Sequence, residues 1–502
     1  MQVARKIVSK MSLLTVLVCI IGLAFILRRE RRISSEEWSS QPIYTNNDAT
    51  FNFGSFSGGN LTKEGLRVLV DKLSSNTYKK DYEWFVDITK FSPYISERDG
   101  LALQMYHIPQ PDAESVKISL VFSTGFSETF VKYSPVLRRL HNIGAEIHGF
   151  DMRGQGFSSS TGWSEGRITH ITEFEDYSQD LQNFVEQVVR PSARRKGSNA
   201  APLYYMGNSL GGLIGYTAQM THRDGRADQK LFDKLVLSVP CFGMAPVQDK
   251  EKLLLRFLYN IIPTSLTALF PLVRISHDKE RDDLTNNMEL FSMWVELKKM
   301  ASRQLVIAGP SMRWLFGVQA ACDTALSAKT PVIDATDMLI ISASGESRVI
   351  PEKVDEFYAF VADGEAHDEH FLPHSLGVRE ENQGGHLPSS VIEKKDNEVY
   401  TKVSHCLHRE KSAVRRHVHY NNTYHEIWTE HDHVVDSLML EVQSFWGLLP
   451  GYSSASECGK PRTLEKGDKT AFLNKEKVEA TTTRINVMEE ADTIRETHSG
   501  DL

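Results

Sequence analysis

Short apolar runs alternate with segments of helical spacing through the middle of this chain, and one junction between them holds Gly207-Asn208-Ser209-Leu210-Gly211. Ile118–Phe122, Ala145–Phe150, Leu203–Met206, Leu235–Val239 and Met338–Ile341 are each too short for a globular helix and too apolar for a loop. They read as buried strands. Between them, Val136–Leu140 and Phe174–Val189 repeat their large apolar residues at helix intervals. Strand and helix in alternation predict an α/β fold with a mainly parallel sheet and helices on both faces. At 502 residues, 41% hydrophobic and 24% charged, the chain has material for such a core. Its net charge of −8 argues against nucleic acid as a partner.

The alternation breaks twice. From Asp249 to about Ala335 only helix-like segments occur, including the apolar Leu253–Val273, so a helical cap over about 245–335 is expected after the strand ending near 240. The second break, about 362–420, is polar and histidine-rich and longer than a core connection. Its His367, His370, His374, His386, His405, His408, His417 and His419 read as solvated loop residues, with no clean metal-ligand spacing. Domain limits follow: an anchor at 1–32, a linker with a short helical segment capped by Thr62 at 33–82, the folded domain at 83–449 and a disordered polar tail at 450–502.

Met11–Leu27 is uncharged and rich in Leu, Val and Ile, with basic residues on both sides. Its about 17 residues make roughly 26 Å of helix, enough for a thin bilayer. Arg28 and Arg29 stand where a cleaved signal would place small residues. An uncleaved single-pass anchor is therefore expected, with its orientation open because both flanks are basic. Cys19, Cys241, Cys322, Cys406 and Cys458 form no Cys-x-x-Cys pair and read as isolated thiols.

Ser209 has the strand, sharp turn and helix context in which Gly-x-Ser-x-Gly exposes a nucleophile. A serine hydroxyl needs a base, and the base needs a third group to orient it. In folds built around that turn the chain order is serine, acid, then histidine, so the base is sought after Ser209. His425 stands just before the helical Val434–Phe445, the closing helix of the domain, and is preferred to His431 and His433. For the acid, Glu346 is the carboxylate in the turn after Met338–Ile341.

Five segments resemble the lysophospholipase and monoacylglycerol lipase branch of the α/β-hydrolases, and bacterial inner-membrane lysophospholipases in particular. They are Ser123-Thr-Gly-Phe-Ser-Glu128 with Tyr133, Asp151-Met-Arg-Gly-Gln-Gly-Phe-Ser158, Phe174–Asp180, Gly207–Gly212, and Tyr424-His-Glu-Ile427 with Glu430 and Asp432. Gly309–Trp314 is similar to the segment entering that branch's last cap helix, which implies that Leu253–Val273 lies inside the lid, as packed cap core, acyl-chain wall or membrane-dipping surface. The likeness covers most of 83–449, and Thr124 and Asn208 stand where histidine is usual. It implies the α/β-hydrolase fold and a serine esterase without a cofactor, acting on a lipid ester. Ser209 would be nucleophile and His425 base, with the backbone N–H groups of Phe126 and Leu210 as the oxyanion hole. The family register puts Ser347 where its aspartate is expected, with Glu346 beside it; a one-residue loop shift would bring Glu346 into line. A thioesterase or peptidase of this fold carries the same motifs, and a catalytically silent binding protein is the alternative of another class.

Overall fold

The computed structural model describes residues 61–159, 168–194, 201–244, 284–301, 305, 309–328, 330–346, 348–361, 389–395, 398–407 and 413–449. Two compact units divide the chain, one of 1–384 with 390–458 and one of 385–389 with 459–502; the second is described only at Ser389. The expected anchor, the Leu253–Val273 stretch, Ser347 and the tail lie outside the described residues. Among those described, no helix is long and apolar enough to cross a membrane.

Ten described strands form one sheet: β1 (Lys90–Ile95), β2 (Ala102–Ile108), β3 (Ile118–Ser123), β4 (Ala145–Phe150), β5 (Leu203–Asn208), β6 (Lys234–Ser238), β7 (Asp337–Gly345), β8 (Ser389–Lys395), β9 (Glu398–Leu407) and β10 (Arg415–Tyr424). Their order is β1-β2-β4-β3-β5-β6-β7-β10-β9-β8. From β4 to β10 every neighbouring pair is parallel. The pairs β1–β2, β2–β4 and β9–β10 are antiparallel. All residues of β3, β4 and β5 are buried, the mark of parallel strands covered on both faces.

The described helices are α1 (Lys63–Asp71), α2 (Lys79–Ile88), α3 (Ser134–Asn142), α4 (Glu175–Phe184), α5 (Leu210–Thr221), α6 (Met288–Met300), α7 (Met312–Ser327), α8 (Pro351–Val361) and α9 (Asp432–Trp446), besides shorter turns. Thr62 caps α1 by accepting the Gly65 N–H at 3.0 Å. Helix α5 packs on β5 and β6, and α9 sets Trp446 against Tyr204 of β5. Helices α6 and α7 come from the stretch between β6 and β7 expected to form a cap. The acid and base candidates follow the adjacent strands β7 and β10.

The histidine-rich stretch differs from its reading as a polar insertion over about 362–420. Arg415–Tyr420 belongs to core strand β10, and all six residues are buried. His417 and His419 are not solvated: His417 Nε2 and His419 Nδ1 each lie 2.8 Å from Ser342 Oγ on β7. Arg415 donates to the Ile333 carbonyl at 2.5 Å and to that of Thr336. Polar side chains satisfied inside the protein can occupy a core strand, and nothing in local composition reveals it.

Candidate active site

Ser209 is the single residue between β5 and α5. Its φ of 51° and ψ of −116° put a residue with a Cβ in a region that such residues seldom occupy. Backbone bonds on both sides hold it: its N–H donates to Ser238 O at 2.9 Å, and its carbonyl accepts the Cys241 N–H at 3.0 Å. Close approach then dictates the flanking glycines. A Cβ on Gly207 would lie 2.6 Å from the Gly211 carbonyl atoms, and one on Gly211 would lie 2.6 Å from Thr124 O.

The structure brings the three sequence-derived candidates together. His425 Nε2 lies 2.9 Å from Ser209 Oγ, and His425 Nδ1 lies 2.6 Å from Glu346 Oε2. The other carboxylate oxygen of Glu346 accepts the N–H groups of Arg348 and Val349, the latter at 2.9 Å. Burial pushes Glu346 up, but the His425 charge and hydrogen bond, with the two backbone donors, hold it below the usual glutamate range. Burial pulls His425 down; the charge and hydrogen bond of Glu346 outweigh this, and more distant Glu128 and Glu426 add to them, so its value is raised. An oriented imidazole that gains a proton readily is what a serine hydroxyl requires of a base.

Leu210 opens α5, so its N–H belongs to the first turn, where no intrahelical acceptor exists. Phe126 lies in the loop after β3 with its ring 4.6 Å from that of Trp314 in α7. This loop packs on Ser209: a Cβ on Gly125 would come within 3.2 Å of Ser209 Cβ. Asp151 fixes the segment downstream. It accepts the Phe130 and Phe157 N–H groups and the Tyr106 hydroxyl, each at 2.8 Å, as well as the Thr129 hydroxyl. Burial pushes the Asp151 carboxyl up to about 6 against these donors. In the same turn, Arg153 Nε pairs with Asp180 at 2.7 Å.

One buried network is not among the expectations read from the sequence. Lys132, buried, pairs with Glu128 at 2.7 Å and with Glu426 at 2.5 Å. Glu128 also accepts the Gly125 N–H and, at 2.7 Å, the Tyr133 hydroxyl. Asn208, next to Ser209, donates to Tyr133 Oη at 3.0 Å. The network therefore joins the loop after β3, the Ser209 turn and the His425 loop. Its signal in the sequence is a lone lysine inside the apolar Phe130-Val131-Lys132-Tyr133, which reveals burial but not its partners.

Among the described residues, His107, Glu146 and His148 are the group near enough to hold a metal, with ligand atoms within 4.8 Å. His107 instead pairs with Glu146 at 2.8 Å and stacks on His148 at 4.4 Å with 9° between the rings. Stacked imidazoles direct their in-plane lone pairs side by side, whereas a shared ion needs them to converge. The cluster reads as an ion pair beside a stacked ring.

A family model described as serine aminopeptidase, S33, matches residues 114–376, which include Ser209 and Glu346. A probable lysophospholipase L2 of Haemophilus influenzae is 24% identical over 263 residues, covering 51% of this chain and 76% of that protein. Lysophospholipase L2 of Escherichia coli is 30% identical over 125 residues, 25% of this chain and 33% of that one. Similar solved structures include two lipases. A soluble variant of Saccharomyces cerevisiae monoglyceride lipase with a substrate analog has TM-score 0.48 and 15% identity, covering 72% of this chain and 94% of that one. Paleococcus ferrophilus monoacylglycerol lipase has TM-score 0.44 and 14% identity, covering 69% and 99%.

Proposed function

The chain belongs to the α/β-hydrolase family described as serine aminopeptidase, S33, and from that premise we propose that it is a carboxylic ester hydrolase cleaving a lipid with a single acyl chain, a lysophospholipid or monoacylglycerol. The observation that carries this reading is His425, placed between Ser209 Oγ at 2.9 Å and Glu346 at 2.6 Å. The likeness to lysophospholipases L2 supports a lipid ester over a peptide bond.

In this mechanism Ser209 Oγ attacks the ester carbonyl while His425 Nε2 takes its proton. Glu346 keeps the other imidazole nitrogen protonated and balances the charge that forms. The oxyanion develops at the Leu210 and Phe126 N–H groups, where preorganised donors stabilise it more than water does. Collapse of the tetrahedral adduct passes the proton from His425 to the leaving alcohol and leaves the acyl group on Ser209. Water activated by His425 then releases the fatty acid. No step calls for a cofactor. Met11–Leu27 serves as a single-pass anchor that keeps the domain beside its substrate's bilayer.

The test is hydrolysis by the full chain of matched lysophospholipids, monoacylglycerols, short esters and peptide anilides. Release of fatty acid from single-acyl lipids, abolished in Ser209→Ala, is expected. Cleavage of peptide substrates alone, or lipid hydrolysis that survives Ser209→Ala, would overturn the proposal. Separately, alkaline carbonate should leave the full chain with the membrane fraction and release a chain lacking residues 1–32. Extraction of the full chain by carbonate would contradict the anchor.

A further inference from the structure

Successive backbone N–H groups in the loop after β3 are used differently. Gly125 donates to Glu128 Oε2 at 2.5 Å, and Ser127 donates to the Gln155 side chain. Between them, the Phe126 N–H meets no acceptor among the described residues. Side-chain acceptors thus clamp the loop on both sides of the donor that is left over. Gly125 is the weak point of this arrangement. A Cβ there would lie 2.7 Å from Glu128 Oε2 and 3.2 Å from Ser209 Cβ, so a side chain has no room while Glu128 holds its place. Glycine also permits more backbone conformations than other residues, and rotation at Gly125 would swing the Gly125–Phe126 peptide with its N–H. The hydrogen bond to Glu128 restrains that rotation.

Glu128 is itself fixed from three directions. The Tyr133 hydroxyl donates to Oε2 at 2.7 Å beside the Gly125 N–H, and Lys132 Nζ donates to Oε1 at 2.7 Å. Burial pushes the carboxyl up, but the Lys132 charge, with the hydrogen bonds from Lys132, Tyr133 and Gly125, holds it below the ordinary glutamate range. Three donors around two oxygens call for a group that only accepts. A glutamine would turn its own NH2 toward either Lys132 or Gly125 and lose that contact. Charge is thus used here to hold a backbone donor in place, and the buried Glu128 has its oxygens occupied by the protein.

We propose that Glu128 is a positioning residue for ester cleavage: by accepting the Gly125 N–H, it fixes the peptide that presents the Phe126 N–H to the oxyanion formed at Ser209. This rests on the ester-hydrolase reading above and extends it to a residue outside Ser209, His425 and Glu346. Glu128 touches neither substrate nor Ser209 Oγ in this role. It acts through Gly125, and its effect falls on the charged tetrahedral adduct, because a donor that needs no reorganisation stabilises that adduct most.

The experiment measures kcat and KM on the single-acyl lipids and short esters above, together with inhibition by an alkyl trifluoromethyl ketone, whose serine adduct carries an oxyanion. Full-length wild type, Glu128→Gln, Glu128→Asp and Tyr133→Phe are assayed, each with its urea midpoint. Removing an oxyanion donor outright costs about 10²- to 10³-fold in kcat, so misdirecting one sets the expected loss for Glu128→Gln at about 10- to 100-fold. KM should hold, and the ketone should bind more weakly by the factor lost in kcat/KM. Tyr133→Phe, which leaves the acceptor for Gly125 in place, should lose less. Unchanged kcat in folded Glu128→Gln, or a loss that spares ketone affinity, overturns the inference. An equal loss in Tyr133→Phe also overturns it, making Glu128 one member of a structural network. Should Glu128→Gln not fold, Glu128→Asp, whose oxygens sit one methylene farther back, decides alone. Loss of kcat and ketone affinity with KM kept supports the inference, and loss in KM or no loss overturns it. A wild type inactive on every ester overturns the ester-hydrolase reading, and the inference with it.

Discussion

The two sides of the candidate active site are held by different physics. On the Ser209 side, backbone holds backbone: Ser209 is pinned at φ 51° by hydrogen bonds to Ser238 and Cys241, and the glycines at 207 and 211 let chain segments touch. On the Glu346 and His425 side, charge holds charge. Glu346 meets His425 at 2.6 Å, and Lys132 ties Glu128 to Glu426. Steric change should therefore damage the first side, and removal of charge or a change of pH the second.

Loss of the acid tests that division most severely. Glu346→Gln keeps the volume but removes the charge that orients and supports His425. By analogy with other triads, kcat should fall about 10³- to 10⁴-fold. Full esterase activity in Glu346→Gln, with loss in Asp337→Asn or Asp355→Asn instead, would assign the acid elsewhere.

Lys132→Met comes next. It leaves two buried carboxylates without their shared cation, and breaking a buried pair in this way costs about 3–5 kcal/mol. Urea unfolding should show a lower midpoint at neutral pH, partly recovered in acid as the carboxylates take up protons. An unchanged midpoint would mean that the network contributes nothing to holding the loops.

Gly211→Ala puts a methyl group against Thr124 O at 2.6 Å, an overpacking cost of about 1–3 kcal/mol. Because Thr124 precedes the Gly125–Phe126 loop, kcat should drop along with stability. A fully active Gly211→Ala would show that the close approach is not needed.

The smallest effect is on pH. Esterase activity should rise with pH as His425 loses its proton, and the rise should lie above the ordinary histidine value because Glu346 raises it. Weakening Glu346 moves the rise to lower pH. The pair's contribution to stability follows the same shifts. Glu346, lowered, loses its share as pH falls through its folded value. His425, raised, loses its share as pH rises through its own. The contribution is complete only between the ordinary glutamate and histidine values, about pH 4.3 to 6.5. A pH–rate profile identical in wild type and Glu346→Gln would contradict this coupling.

How much of the molecule was legible follows the same division. The Ser209 turn is local: strand, two glycines and helix are contiguous, so a short stretch of sequence carries its own explanation. His425 was accessible through its place before α9 and the resemblance around it, although it lies 216 residues from Ser209. Glu346 was the carboxylate in the right turn; its pairing with His425 depends on β7 lying beside β10, which is a tertiary fact. The Lys132 network was not legible, because it joins residues from separate loops. Strand β10 was hidden for a related reason. His417 and His419 look like surface residues until Ser342, 75 and 77 positions away, supplies their shared partner.

Covalent capture of the nucleophile tests the central claim most directly. The folded full chain is treated with a fluorophosphonate and its peptides are analysed by mass spectrometry, with Ser209→Ala and His425→Ala in parallel. The expected result is one phosphonylated serine at Ser209, absent in Ser209→Ala and formed far more slowly in His425→Ala. Failure of the folded protein to label, or labelling at another serine that persists in Ser209→Ala, would contradict the account.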